Sequence, residues 1–393
     1  MRDGIDRPAM TALSGGHLAV DFASGSVPAL IPFLTDRFDL NYAFAAMLLL
    51  ASTVSSSLVQ PLFGLWSDRR GALWLIPGGT ILAAVGIGLA AVTPWYPLVL
   101  LFVFAGGLGV AAFHPEGAKY AAYASGKKRA SGMSYFNIGG NTGYALGAFV
   151  TGLFISAIGL GGGLVAMIPV AVAAAILLRV MPQFAALHPV RRADAAVRGE
   201  DDRHAMALLG AVIALRSIPW FTLLAFVPLW VESLGYSKAY GNRLLFLMLL
   251  AGAAGTLTLG PVADRIGLRR TLVVTQVLIP PLLLVFIYVG GVVGAIALLP
   301  VGVCVVGTFG VTMVLSQLYL PRHIGMASGL SVGLAMGIGG TAAVVLGAVA
   351  DVVDLKTALT ISAMAPALGV FVCMRLPRPA TSARRVIEPV AVD

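Results

Sequence analysis

Long apolar runs separated by short polar loops make up most of this chain. Twelve are legible, with ends defined to a few residues. Six fall at 13–35, 42–66, 72–93, 95–122, 131–157 and 163–181, and six more at 206–231, 242–263, 271–290, 292–319, 325–350 and 357–376. Each is close to the roughly 20 residues that cross a hydrocarbon core as an α-helix. Period-two alternation is absent, which argues against a lipid-facing β-barrel. The pattern predicts an all-α membrane protein with twelve transmembrane helices. The expected organisation is a six-helix bundle over 1–181, a polar linker over 182–205, a second six-helix bundle over 206–376, and a tail over 377–393. Residues 1–11 are polar, and the apolar run after them is longer than a signal-peptide core, so no cleavable signal is expected.

Composition agrees. Charged residues are 11% of the chain, against about 25% in a soluble domain. Hydrophobic residues are 59%, and mean hydropathy is +0.93. The net charge of +9 is a matter of placement. Of the 26 Lys and Arg, 21 lie toward the side of the termini, in loops, tails or segment ends, four toward the opposite side, and Arg216 in the middle of a segment. Positive loops stay in the cytoplasm, so both termini are expected there. The same surplus suits contact with anionic lipid, and no nucleic-acid partner is needed to explain it. The linker alternates sign through Arg191, Arg192, Asp194, Arg198, Glu200, Asp201, Asp202 and Arg203. It reads as a solvated connection, with regulation as the alternative. Cys304 and Cys373 sit inside apolar segments and read as small hydrophobes.

The chain also repeats itself. Gly64-Leu-Trp-Ser-Asp68-Arg69-Arg70-Gly71 follows the second segment, and Gly260-Pro-Val-Ala-Asp264-Arg265-Ile-Gly267 follows the eighth, 196 residues on. Ala130-Ser131-Gly132-Met133-Ser134 returns as Ala327-Ser328-Gly329-Leu330-Ser331, 197 residues on, and Gly140 and Gly143 then match Gly337 and Gly340. Two matches at nearly one offset predict two similar halves in the same orientation, a parallel repeat. In the G-x-x-x-D-R-x-G loop, the glycine would let helices approach, the aspartate would accept at a helix start, and the arginines would pair across to a neighbour. Its duplication in register suggests a conformational latch of Gly64, Asp68, Arg69 and Gly71 with Gly260, Asp264, Arg265 and Gly267. A plain basic turn is the simpler alternative. Glycines recur every fourth residue at Gly139, Gly143 and Gly147 and again at Gly325, Gly329, Gly333 and Gly337. Such small faces allow close helix crossing.

These motifs resemble a known family. The doubled loop resembles the signature of the major facilitator superfamily. Within it, His17-x-x-x-Asp21, Phe113-His114-Pro115-Glu116, Gly139-Gly140-Asn141-x-Gly143 and Leu320-Pro321-x-x-Ile324-Gly325-Met326-x-Ser328-Gly329 resemble the fosmidomycin-resistance family. The match runs from about 16 to 376 and departs at Ala148, where efflux relatives usually carry proline after Gly147. The resemblance implies the major facilitator fold: two pseudo-symmetric six-helix bundles around a cavity lined by helices one, four, seven and ten. It implies a monomeric, multi-pass protein of the bacterial inner membrane that exports a small antimicrobial compound, such as a fosmidomycin-like phosphonate, as protons enter. An uptake symporter for a sugar or organic acid is the alternative on the same fold. A non-transporting sensor or membrane enzyme is a third class.

Charges in the hydrocarbon region are costly and are functional candidates by default. His17 and Asp21 are spaced i, i+4 and share a helix face. His114 and Glu116 are two apart and would face apart on a straight helix; a bend at Pro115 would bring both to the cavity. Asp21 and Glu116 are therefore candidate proton carriers, and His17 and His114 candidate relays. Arg216, with Asp21, Asn137 and Asn141, is a candidate substrate contact, because a guanidinium can clamp a phosphonate. The structural alternatives are a buried His17–Asp21 pair, a Glu116 cap or gate bond, and helix-packing histidines. Val311-Thr312-Met313 occupies the place of His114 to Glu116 in the second half, so the acid chemistry belongs to the first half. Gly107-Leu-Gly109-Val-Ala-Ala112 imitates a dinucleotide fingerprint but has no strand before it. No catalytic triad, metal-ligand spacing or phosphate loop stands out, so neither a cofactor nor an enzyme activity is expected.

Overall fold

The computed structural model describes residues 4–60, 62–64, 66, 72–126, 129–187, 200–321 and 324–377. Every regular element among them is helical. The helices are α1 (Arg7–Phe38), α2 (Tyr42–Leu58), α3 (Leu75–Val92), α4 (Tyr96–Ala124), α5 (Arg129–Ile158) and α6 (Gly161–Ala185), the last turning at Met167. Then come α7 (Arg203–Ser233), α8 (Lys238–Ile266), α9 (Leu268–Tyr288), α10 (Gly291–Tyr319), α11 (Ile324–Val352) and α12 (Leu355–Arg375). Twelve spans among the described residues are long and apolar enough to cross a membrane. The linker expected at 182–205 is shorter, since α6 runs to Ala185 and α7 starts at Arg203; residues 188–199 of it, and the tail from 378, lie outside the described residues.

Helix α1 begins six residues before its apolar run because its first turn is built from polar groups. The Asp6 carboxylate accepts from the backbone N–H of Ala9 at 3.3 Å, and Pro8 sits in the first turn, where its missing N–H costs nothing. Helix α7 starts the same way, with Asp202 accepting from the Ala205 N–H at 2.8 Å. Each aspartate also donates its own N–H to the end of the fourth helix of its half. Asp6 bonds the Ala124 carbonyl at 2.8 Å and Asp202 the Tyr319 carbonyl at 2.7 Å. Asp6-Arg7-Pro8-Ala9-Met10 and Asp202-Arg203-His204-Ala205-Met206 stand 196 residues apart, a third matching pair between the two halves. Pro115 does not break α4, which is continuous from Tyr96 to Ala124.

Contacts divide the chain into two compact units. One comprises Met1–Val190, Thr222–Leu250 and Gly340–Leu355; the other comprises Arg191–Phe221, Ala251–Gly339 and Lys356–Asp393. In the first, α1 and α5 meet backbone to backbone. A Cβ on Gly139, Gly143 or Gly147 would collide with the carbonyl oxygens of Ser14, Leu18 and Phe22 respectively. Two four-residue ladders thus lie against each other, as glycine faces permit in lipid, where packing and not apolar transfer drives association. The Ser26 hydroxyl adds a 2.7 Å bond to Thr151 across the same seam. The glycine stripe on α11 behaves differently: Gly333 and Gly337 have open space where a Cβ would be, so that stripe is not a close crossing there.

The second unit has an apolar core that includes Leu209, Ile213, Leu272, Val311, Leu315 and Tyr319. Between α8 and α9 the chain turns on Gly267, whose φ of +97° is open to glycine and strained for other residues. Of the second copy of the loop motif, Gly260 has open space at its Cβ position, and Asp264 and Arg265 are exposed in the last turns of α8. The close approach expected at Gly260 is therefore absent. The cross-link comes instead from Arg269, which donates to the Cys373 carbonyl at 3.1 Å and to the Met374 carbonyl, a cation on the C-terminal end of α12. In the first copy, Gly64 packs its Cα side near Pro115 of α4, while Asp68, Arg69 and Gly71 lie outside the described residues. Both cysteines are buried and free.

The seam between α1 and α5 predicts a sharp contrast. Gly143→Ala and Gly147→Ala should each destabilise by about 1–3 kcal/mol through overpacking and lower the melting temperature in detergent. Gly333→Ala should fall within about 0.5 kcal/mol of the parent. Equal melting temperatures for all three variants would contradict the seam.

Candidate functional site

The slot beside Gly140 of α5 holds the first cluster. His17 and Asp21 project from one face of α1 and His114 from α4. Asp21 lies between the two imidazoles: its Oδ2 is 3.3 Å from His17 Nε2 and its Oδ1 3.1 Å from His114 Nε2. The outer nitrogen of His17, Nδ1, lies 2.8 Å from the Phe136 carbonyl of α5, which can only accept. Nδ1 therefore carries a proton, and Nε2 is left to exchange one with Asp21. The ring lies flat on Phe136 at 4.1 Å between centroids and meets His114 edge-on at 5.1 Å. A Cβ on Gly140 would strike His17 Nε2 and come within 2.6 Å of Asp21 Oδ2. The Gly139-Gly140 pair is thus a structural requirement of the cluster: one glycine seats the seam and the other leaves room for the carboxylate. The three donor atoms lie within 4.8 Å of one another, a geometry that three metal ligands would also satisfy.

Glu116 sits apart from this arrangement. On an unbroken α4 it faces away from His114. Fully buried, it pairs with Lys119 one turn on, at 2.7 Å. Asn137 and Asn141 share a face of α5; Asn137 is exposed and Asn141 half-buried. A groove of about 930 Å³ runs along α1 and α5 from Gly4 to Leu18 and Thr142, with Arg7, Thr11, Ser14 and Tyr135 on its walls. It ends one residue from His17.

The second feature lies in the other unit. Arg216 of α7 is 1% exposed. Its Nη1 donates to the Val305 carbonyl and, at 3.3 Å, to the Thr308 hydroxyl, and the guanidinium lies 4.1 Å over the Phe309 ring. Among the described residues, Nε and Nη2 have no hydrogen-bond partner. Arg216, a candidate substrate contact from the sequence, is buried against α10. A buried cation with two donors unmet is costly, and an anion is the natural complement.

The profile of the Major Facilitator Superfamily matches residues 13–344. The chain belongs to the major facilitator superfamily. It is 29% identical over 365 residues to the fosmidomycin resistance protein of Escherichia coli (strain K12), covering 91% of this chain and 90% of that one. It is equally similar, 29% over 368 residues, to the uncharacterised MFS-type transporter YfnC of Bacillus subtilis (strain 168), covering 90% and 89%. A bacterial homologue of the human lysosomal transporter Spinster, solved inward-facing and occupied, shares the fold, with a TM-score of 0.77 at 14% identity over 95% of this chain and 97% of that one. This superfamily member is therefore a multi-pass membrane transporter of small molecules and not an enzyme, and its two six-helix halves are those of the major facilitator fold.

The sequence missed Asp6, Asp202 and the Phe136 carbonyl. The first two carried a signal, the D-R-x-A-M repeat, hidden in polar ends that hydropathy discards. The carbonyl carried none, because any residue at 136 supplies one.

The burial of Arg216 makes a prediction about stability. Arg216→Met should leave the melting temperature unchanged or raise stability by up to about 4 kcal/mol, as replacing uncompensated buried charge often does. A large loss of stability would show that the guanidinium is already satisfied.

Proposed function

We propose that this transporter exports a small anionic antimicrobial compound, of the phosphonate class, from the cytoplasm in exchange for protons. It would act as a monomer in a bacterial inner membrane with both termini cytoplasmic, an orientation supported by the 21 basic residues on that side. The observation that carries the reading is Arg216, a permanent cation with donors unmet in an apolar bundle. The similarity to a fosmidomycin resistance protein supports export and this class of cargo.

In this reading Asp21 carries the proton. Proton entry moves positive charge down the membrane potential, worth about 2.3 kcal/mol per charge per 100 mV. His17 and His114 relay it, held against Asp21 by the Phe136 carbonyl and the edge-on ring contact. The groove along α1 and α5, which ends at Leu18 and Thr142, would be the approach to them, with the neighbouring Asn141 a candidate polar contact for cargo. Glu116, bound to Lys119, holds the end of α4 and not the proton. Alternating access then rocks the halves about the fixed site, with the doubled loop as the latch between states.

Inside-out vesicles with an acid interior test both roles. They should accumulate 3-aminopropylphosphonate, and Asp21→Asn should abolish the accumulation, while Glu116→Gln keeps most of it per folded molecule. Arg216→Met should reduce transport of the phosphonate at least tenfold more than that of an uncharged drug. Loss of accumulated phosphonate on acidifying the lumen would reverse the direction and favour a symporter. Equal losses for anion and neutral drug would remove the clamp.

A further inference from the structure

The turn joining α1 to α2 is gripped by groups from the second half of the sequence. Asp351, in the last turn of α11, accepts from the backbone N–H of Tyr42 at 2.6 Å and of Ala43 at 3.0 Å. These are two of the donors that the start of α2 leaves without helical partners, and the Asn41 side chain takes a third, that of Phe44, at 2.9 Å. Asp351 is thus a carboxylate at the positive end of a helix other than its own. Gly347, one turn earlier, lets the two backbones meet: a Cβ there would lie 2.7 Å from the Tyr42 carbonyl oxygen and 2.8 Å from the Ala43 Cα. Lys238, the first residue of α8, pairs with Asp36 in the last turn of α1 and lies 3.4 Å from Glu232 at the end of α7. Deeper in, Asn242 of α8 is 2% exposed and donates to the Ala29 carbonyl of α1 at 3.4 Å. All of these groups belong to one compact unit and to the helix ends remote from the termini.

Two properties distinguish this grip from ordinary packing. Its principal bonds are ionic or charge-assisted, and in each the carboxylate partner, Asp351 or Asp36, is exposed and can rehydrate on parting, while Lys238 is half-buried. The glycine seam of α1 and α5 has no such route. The grip is also outside the repeat: 197 residues before Asp351 stands Phe154, so the scaffold shared by the halves does not require a carboxylate there.

We infer that Asp351 on the α2 start, together with the Lys238–Asp36 pair, is a releasable lock that closes the far ends of the helices and must open for cargo to leave on that side. The inference rests on the alternating-access reading of the fold. Loss of two charge-assisted hydrogen bonds should shift the balance between closed and open far ends roughly tenfold.

Electron-electron distance measurements test it on the full chain in lipid nanodiscs. Cys304 and Cys373 are replaced by Ser, and spin labels are placed at the exposed Trp95→Cys and Val353→Cys positions. Asp351→Ala and Lys238→Asp should each raise the ratio of long to short distances roughly tenfold over the parent. Adding Asp36→Lys to Lys238→Asp should bring the ratio back toward the parent's, short of it because Glu232 then faces a carboxylate, and a folding defect would show no such recovery. Distributions that match the parent's in both single variants overturn the lock. The readout needs no cargo, so a failed phosphonate assay leaves the lock standing, and an unmoved distance leaves the export reading standing.

Discussion

The contact on which the first unit depends is the backbone crossing of α1 and α5. Gly139, Gly143 and Gly147 rest on the carbonyls of Ser14, Leu18 and Phe22, with no side chain between. In water such a crossing would compete with burial of larger apolar groups. In lipid those groups gain little by association, so close contact decides which helices pair. The crossing also fixes where chemistry can occur. It sets the Phe136 carbonyl against His17 Nδ1 and leaves, beside Gly140, a slot that Asp21 fills. A carboxylate and two imidazoles are tolerated there because each answers another, and the helix backbone answers the remaining donor.

The two halves share a scaffold and divide the charge. The twin caps at Asp6 and Asp202 tie the first helix of each half to the fourth, 196 residues apart and with bonds of nearly equal length. On this common frame the first half carries a cluster that can gain or lose a proton. The second carries a guanidinium that cannot, with α10 supplying a carbonyl, a hydroxyl and an aromatic face but no counter-charge within hydrogen-bond reach. A titratable acid in one half and a fixed cation in the other are the parts an exchanger of protons for anions needs. The imbalance costs stability that a purely structural protein would have recovered with an apolar residue.

Much of this was legible in the sequence, and the failures have physical causes. Run length alone placed twelve helices, because the hydrocarbon core sets how many residues must be apolar. It misplaced the start of α1 and the end of α6, where caps and a polar last turn extend a helix beyond its apolar stretch. The i, i+4 spacing put His17 and Asp21 together, and His114 joined them. Glu116 was grouped with His114 on an expected bend at Pro115, yet α4 is continuous there and Glu116 pairs with Lys119. The stripes at Gly139 and Gly333 read alike, yet one meets a carbonyl and the other open space, a difference set by the neighbour and not by the stripe. Asp351 and Asn242 gave no signal, since their partners lie more than two hundred residues away in sequence.

In the proposed exchange, cargo and proton compete, with Asp21 as the proton's seat. It is tested most directly by adding 3-aminopropylphosphonate to the purified protein in weakly buffered detergent and following pH. One proton should be released for each anion bound, and Asp21→Asn should lose that release. Anion binding with no change in pH, or the same release from Asp21→Asn, would contradict it.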